Sequence, residues 1–399
     1  MKVLQLCKKY PYPVKDGEAL AITRLAWAMW QQGAEVWALV MNTHKHRYEG
    51  PAPLDELNCY HHIEAVSVDN RPRLGAALKN LFSGRSYHIE RFLSEAYARQ
   101  LSQILRRESF DVVQLETAFL LPYVPFIREH SRARVVLRAH NVESEIWERI
   151  AIHSPPLKRW YLRVQARRLK VYEKKHINDA DLLVAISERD RDTFLSWGLH
   201  KPALVVPIGL DTAEYVPDEA CFHRPLSLCF IGALDWWPNV EGLRWFLHEV
   251  WVPFLAPSFP QLSFHIAGRN TPSWLLRLKM PRVHVHGEVP DARAFINAHP
   301  VMIVPLLSGG GMRAKIVEAM ALGRVVISTS IGLEGIAARH REEVLVADDA
   351  PTFAEVVHLC LEQKHDLPNI GRRARAFCIR HFDYMKTAEA LIEAYERFG

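Results

Sequence analysis

The feature that most limits how this chain can fold is a rhythm. Short apolar runs recur along it, separated by amphipathic stretches. The first is Val3, Leu4, Leu6 and Cys7, and the second is Glu35-Val36-Trp37-Ala38-Leu39-Val40. Asp111-Val112-Val113-Gln114-Leu115, Val135-Val136-Leu137-Arg138 and Leu182-Leu183-Val184-Ala185-Ile186-Ser187 continue the series. Runs this short and this continuous read as strands buried on both faces of a parallel sheet. Between the first two, Leu20, Leu25, Ala28 and Met29 fall at helical spacing over residues 18–32, and Gly33 sits where a helix C-cap belongs. Strand, helix and strand joined by short loops make a βαβ unit. Residues 50–80 break the rhythm and read as an irregular or short-stranded insertion. Val205-Val206-Pro207-Ile208-Gly209 closes the series.

Residues 211–225 are polar, contain Pro217 and Pro225, and read as a linker. A second series follows. Strands are predicted over 226–231, 262–267, 283–286, 301–306, 325–328 and 344–346, with helices over 240–254 and 312–322 and two more to close the chain. The length, 399 residues, exceeds the roughly 250–300 at which a single core stops growing. The predicted class is α/β: two Rossmann-like domains facing each other across a cleft, with ligands outside the strand C-termini.

The sharpest chemical signal is Leu307-Ser308-Gly309-Gly310-Gly311-Met312-Arg313-Ala314-Lys315, which joins a strand to a helix that runs on to Gly323. Glycines uncover backbone N–H groups, and a helix N-terminus adds unsatisfied donors and partial positive charge. Arg313 and Lys315 stand in the first turn, where the dipole disfavours cations. A bound phosphate or pyrophosphate would offset that cost. The same segment read as a plain glycine turn with exposed bases remains open, because it is neither a Walker A sequence nor GxGxxG. Glu318, flanked by Val317, Ala319 and Met320, has the chemistry to accept from a ribose diol, or it lies in solvent.

This segment resembles the donor motif of glycosyltransferase family 4, the group 1 glycosyltransferases of GT-B fold, in the subset with a GGG loop. The resemblance spans nearly the whole chain. Pro11-Tyr12-Pro13-Val14-Lys15-Asp16-Gly17 is similar to the family's first glycine-rich loop. Arg138-Ala139-His140-Asn141-Val142-Glu143 is similar to the segment with its active-site histidine. Val206-Pro207-Ile208-Gly209-Leu210-Asp211, Phe230-Ile231-Gly232 and Ile266-Ala267-Gly268-Arg269 match further family segments.

The resemblance implies an acceptor-binding domain over 1–210, the linker over 211–225, and a nucleotide-sugar domain over 226–380. It also implies a last helix, within 381–399, that packs back on the first domain. It implies retaining, hexosyltransferase-type transfer from a nucleotide diphosphate sugar to a saccharide or lipid-linked acceptor in polysaccharide or glycoconjugate assembly. No cofactor and no obligatory metal is implied. His140, Arg313 and Lys315 take the catalytic positions. Gly17, Arg269, Gly309, Gly310, Gly311, Met312, Glu318 and Glu334 take the donor-binding ones. Glu143 and Glu145 are further acid/base candidates.

Three departures stand out. Gly310 occupies the place of the first glutamate of the family's Glu-x7-Glu pair, and Glu18 follows Gly17 where relatives often have glycine. No base follows Gly232, where relatives hold the diphosphate with an Arg and a Lys. Arg313, Lys315 or Arg269 is expected to substitute. These departures keep a catalytically inactive binding subunit open as an alternative. A GT-B epimerase and a Rossmann dehydrogenase are the others.

Charge is uneven. Residues 1–200 hold 30 Lys and Arg against 23 Asp and Glu, while the whole chain is only +5. Eight of those bases crowd residues 158–175 among Trp160, Leu162, Val164 and Leu169. That stretch reads as the solvated face of an amphipathic helix or as a contact for an anionic membrane. No helix-turn-helix or RRM signature points to nucleic acid. No leader pattern and no apolar run near 20 residues is visible. The six cysteines form no CxxC pair. The expected location is cytoplasmic, at most peripheral to the inner face of a membrane.

Overall fold

Strand β1 (Lys2–Cys7) lies in the interior of its sheet, and Val3, Leu4, Gln5, Leu6 and Cys7 are all fully buried. The computed structural model describes residues 1–14, 17–50, 57–152, 154–309 and 311–397, apart from the side chain of Lys45. Helix α1 (Gly17–Gln31) covers β1 with Ile22, Leu25, Ala26 and Met29. Gly33, at φ +85°, then reverses the chain, and the Ala34 N–H closes onto the Met29 carbonyl at 2.9 Å. This is the glycine stop that the sequence predicts.

β2 (Glu35–Thr43) and β3 (Tyr60–Val68) follow. β3 refines the expectation of an irregular or short-stranded insertion over 50–80: it is a nine-residue strand paired in parallel with β2 along its length. It is an edge strand, and only Tyr60 and Val68 at its ends are buried. Its apolar signal is therefore too thin to stand out in sequence. Next come α2 (Leu74–Leu81), α3 (Glu95–Arg107), β4 (Val112–Leu115), β5 (Arg134–Ala139), α4 (Glu143–Ile152), α5 (Pro156–His176), β6 (Leu182–Ala185), α6 (Glu188–Ser196) and β7 (Ala203–Val205). The seven strands are parallel in the order β3-β2-β1-β4-β5-β6-β7. Their order reverses between β1 and β4, which makes the carboxyl ends of these strands the place for a ligand.

The second sheet is built from β8 (Ser227–Ile231), β9 (Ser263–Ala267), β10 (Val283–Gly287), β11 (Val301–Val304), β12 (Val325–Ser328) and β13 (Leu345–Val346), in the order β10-β9-β8-β11-β12-β13. Its switch point lies between β8 and β11. Helix α7 (Trp237–Trp245) follows β8 and continues as a wider π-type coil over Phe246–Leu255. Pro253, which has no N–H, falls inside that coil. Helix α8 (Ala314–Ala321) follows β11, and α9 (Ala350–Glu362) and α10 (Leu367–His381) close the unit.

Residues 211–225 are not a free linker. The second compact unit runs from Leu210 to Asp383. Two short 3-10 turns, Thr212–Glu214 and Glu219–His223, are capped by Asp211 and Asp218. Cys221 and Phe222 join the core. The buried Arg324 donates to the Asp218 carbonyl at 3.0 Å and stacks on Phe222. The proline-bearing polar sequence thus forms part of the unit's packing.

The last helix, α11 (Tyr384–Arg397), belongs with residues 1–209. It buries Ala388, Leu391 and Tyr395 in the core that also holds Val3, Ile22 and Met29. The Tyr395 hydroxyl donates to Gln114 of β4.

Candidate functional site

In the second unit the strand ends are closed by glycines. A Cβ on Gly268 would lie 2.0 Å from the Gly232 carbonyl oxygen, so only glycine lets the β8 and β9 ends approach this closely. The Leu234 N–H then donates to the Arg269 carbonyl at 2.8 Å. Arg269 itself is half-buried beside this turn, and its guanidinium has no partner among the described residues. Opposite, the loop after β11 carries Gly309 at φ +120° and Gly311 at φ +74°. Gly310 lies outside the described residues. Ser308 donates to Glu241 of α7 at 2.5 Å, and Met312 is buried. No side chain caps the N-terminus of α8; the Ile316 N–H closes onto the Arg313 carbonyl at 2.9 Å, which leaves the Ala314 and Lys315 N–H groups for a ligand. Arg313 folds back onto the Gly311 carbonyl.

Lys315 brings its ammonium to the end of β8, beside Gly232. It reaches from the first turn of α8 across to the end of β8. Its Nζ lies 2.7 Å from Asn239 Oδ1, 3.3 Å from the Ile231 carbonyl and 4.3 Å from the centre of the Phe230 ring. A Cβ on Gly232 would come within 2.9 Å of that nitrogen. The glycine makes room for an ammonium supplied by another element. Burial, with Arg313 adding repulsion, pushes the Lys315 ammonium down to about 7. A carboxylate would normally relieve such a cation, and among the described residues the one bearing on it is Glu318, one turn along α8. Glu318 is half-buried and accepts from the Tyr215 hydroxyl at 3.0 Å. Burial raises its carboxyl above the usual range, against the Tyr215 bond and the charges of Arg293 and Lys315. Glu334 lies in the turn after β12, whose shape is held by Thr329 donating to the Leu306 carbonyl at 2.5 Å.

The first unit has its own cluster at the strand ends. His140 follows β5, is 5% exposed, and shares a 2.8 Å hydrogen bond with Glu116. Glu116 follows β4, is fully buried, and also accepts from Arg138 at 3.1 Å. Burial would raise the Glu116 carboxyl, but Arg138 and His140 outweigh it and hold the group below the ordinary range. Sequence reasoning missed Glu116. Its signal was the alternation Gln114, Glu116 at the end of an apolar strand, since a polar residue there needs a partner.

Beside them, Lys8 lies 3.4 Å from Glu143 and 3.5 Å from Glu18, and Lys9 lies 3.3 Å from Glu18. The departure at Glu18 therefore has a local cause. It neutralises two lysines at the end of β1, and Lys8, Lys9 and His140 overcome burial to bring its carboxyl down to about 2. Glu143 is committed to Lys8 and Thr117, and Glu145 to Arg189 and Arg149. Glu173 of α5 caps α4, accepting from the Glu143 and Ser144 N–H groups at 2.9 and 3.0 Å. Gly17 is the first residue of α1, and Lys15 and Asp16 before it lie outside the described residues.

Two Rossmann-like units with parallel sheets of seven and six strands, one carrying a glycine loop and cations at its switch point, make this a GT-B fold. The family profile for Glycosyltransferase Family 4 matches residues 17–214, and that for Glycosyl transferases group 1 matches residues 225–363. The chain belongs to this family of group 1 glycosyltransferases. It is 24% identical to an uncharacterized 44.6 kDa protein in the cps region of Klebsiella pneumoniae, over 98% of this chain and 99% of that one. An uncharacterized glycosyltransferase of Methanocaldococcus jannaschii is 21% identical over 57% of this chain and 61% of its own. In fold the chain is similar to HepE of Anabaena, solved with UDP-glucose, at TM-score 0.68 and 16% identity over all of both chains. It is also similar to sucrose-phosphate synthase of Thermosynechococcus elongatus, at TM-score 0.70 and 15% identity over 100% and 99% of the two chains. Among the described residues no helix is long and apolar enough to cross a membrane.

Proposed function

We propose that this protein is a retaining glycosyltransferase of hexosyltransferase type. It moves a sugar from a nucleotide diphosphate donor to a saccharide or lipid-linked acceptor in polysaccharide or glycoconjugate assembly, at the cytoplasmic face of an anionic membrane. The observation that carries the donor reading is the Lys315 ammonium beneath Gly232, next to the glycine loop and the uncapped start of α8. HepE, similar in fold, has been solved with UDP-glucose and with UDP. The Klebsiella relative's place in a cps region supports the assembly context.

The chemistry follows from charge. The bond between the anomeric carbon and the phosphate oxygen breaks, and negative charge gathers on the diphosphate. Lys315, Arg313 and the amides of Gly309–Met312 meet that charge, with Arg269 as a third base. The acceptor hydroxyl attacks from the face the phosphate leaves, and its proton passes to the departing phosphate oxygen. Retention then needs no side-chain base, which agrees with Glu143 and Glu145 being held in ion pairs. Glu318 takes the ribose and Glu334 the base side. His140, oriented by Glu116, takes the sugar-orienting role its motif implies.

A thermal-shift screen with UDP-, GDP-, ADP- and dTDP-sugars tests this. One of them is expected to raise Tm, since a ligand at a hundred times its Kd adds about 2.7 kcal/mol. Lys315→Ala should abolish that shift, and Glu318→Ala should raise the donor KM. No shift with any donor refutes the donor site. A shift without slow donor hydrolysis leaves an inactive binding subunit, and conversion of the free donor to its epimer identifies an epimerase.

A further inference from the structure

Leu74, Leu78 and Phe82 fall four residues apart on and just past α2, so they share one face. They are 87%, 62% and 94% exposed. Single exposed apolar residues are ordinary on a protein surface, but three in one helical stripe are not. The stripe is not a frayed end. Asn80 is buried and receives the Gln165 amide of α5 at 2.8 Å, and Arg168 donates to the Leu81 carbonyl at 2.7 Å. The polar side of α2 is clamped to α5, and its apolar side is held outward. On α5, before Arg168, Leu157 and Trp160 are also exposed, at 83% and 56%.

The charge around this face is mostly positive. Residues 70–89 and 154–172, which hold α2 and most of α5, carry ten Lys and Arg and no Asp or Glu; Asp69 at the edge pairs with Arg71 and Arg73, and Glu173 near the end of α5 is buried. Lys79, Arg85, Lys158, Arg163 and Arg167 are exposed. A second copy of the chain would set these cations against their own kind. A nucleic acid would match the charge but has no use for a leucine and phenylalanine stripe. An anionic bilayer takes both, with cations at the headgroups and Leu and Phe at the acyl boundary.

We infer that the α2 face carrying Leu74, Leu78 and Phe82, edged by the cations of α2 and α5, inserts into the surface of an anionic membrane. The purpose of such docking, access to a membrane-borne acceptor, rests on the function proposed above, while the docking itself rests on exposure and charge alone.

Sedimentation of the full chain with vesicles tests it. Vesicles containing phosphatidylglycerol should bind the protein, and pure phosphatidylcholine should not. The triple variant Leu74→Ser, Leu78→Ser, Phe82→Ser should lose about a hundredfold in partitioning, because three apolar side chains no longer leave water. Its Tm and nucleotide-sugar affinity should stay unchanged, since these side chains pack against little of the protein. Arg163→Glu with Arg167→Glu should also release the protein, and raised salt should weaken wild-type binding. Wild-type protein that ignores anionic vesicles overturns the inference, as does a triple variant that binds as tightly as wild type. A dimer that the triple variant breaks would assign the face to a second copy instead. Vesicle binding without nucleotide-sugar binding would sink the proposed function and leave this surface standing. The reverse result would do the opposite.

Discussion

Lys315→Met keeps the aliphatic stem over Phe230 and removes the ammonium, so it isolates what the charge costs the fold. In the folded chain this ammonium is pushed from 10.5 down to about 7, first by burial and then by Arg313. Taken at face value, that displacement corresponds to about 5 kcal/mol of destabilisation while the group is protonated in both states. The side chain is only half-buried, and its bonds to Asn239 and Ile231 are lost with the charge. These reduce the expected net effect to about 2 kcal/mol. The sign is fixed by linkage. Between about pH 7 and 10.5 the unfolded chain holds a proton that the folded chain has released, so stability rises with pH through that window. Below about pH 7 the cost is present in full. Urea unfolding at pH 6 and pH 9 should therefore show Lys315→Met more stable than wild type at pH 6, with the gap narrowing at pH 9. Wild type saturated with its nucleoside diphosphate should close the gap at pH 6, because the anion compensates the charge. A variant less stable than wild type at both pH values would make Lys315 a structural strut and refute its assignment as a cation awaiting an anion.

Two further substitutions separate packing from chemistry. Gly268→Ala drives a Cβ against the Gly232 carbonyl and should cost the second unit about 3 kcal/mol in urea unfolding, with loss of donor binding as the β8 end shifts. Glu116→Gln leaves Arg138 buried without its carboxylate and should cost about 3 kcal/mol at pH 7. The Glu116 carboxyl is held low, so its contribution is lost as pH falls below the ordinary carboxylate range, and wild type and variant should converge in acid.

The parts of the fold that are buried on both faces were legible as sequence. Val112 to Leu115 and Val301 to Val304 are strands because every residue in them is enclosed. β3 was less legible, because polar residues interrupt its apolar ones without a clean alternation and most of its side chains meet water. The stretch 211–225 looked like a linker because proline and polar residues dominate it, yet Cys221 and Phe222 anchor it in the core and Arg324 holds the Asp218 carbonyl. The glycine loop and the start of α8 could be read because their residues are contiguous. The partners that set their chemistry could not be read, because they come from elsewhere in the chain: Asn239 for Lys315, Tyr215 for Glu318 and Glu116 for His140. Sequence spacing predicts what shares a helix face, and only the folded topology shows what meets at a strand end.

The return of α11 to the first unit has a consequence for biosynthesis. The apolar surface that receives Ala388, Leu391 and Tyr395 is made early, and the helix that covers it is made only after the second unit. Residues 210–383 must be synthesised in between, which at ordinary elongation rates takes about ten to thirty-five seconds. For that interval the nascent first unit presents an open apolar seam beside α1, and the Gln114 side chain at its core lacks the Tyr395 hydroxyl. The second unit, continuous in sequence, is free to finish folding first. The order of completion thus runs against the order of synthesis, and chains that stall before residue 384 expose a surface for chaperones and proteases to read.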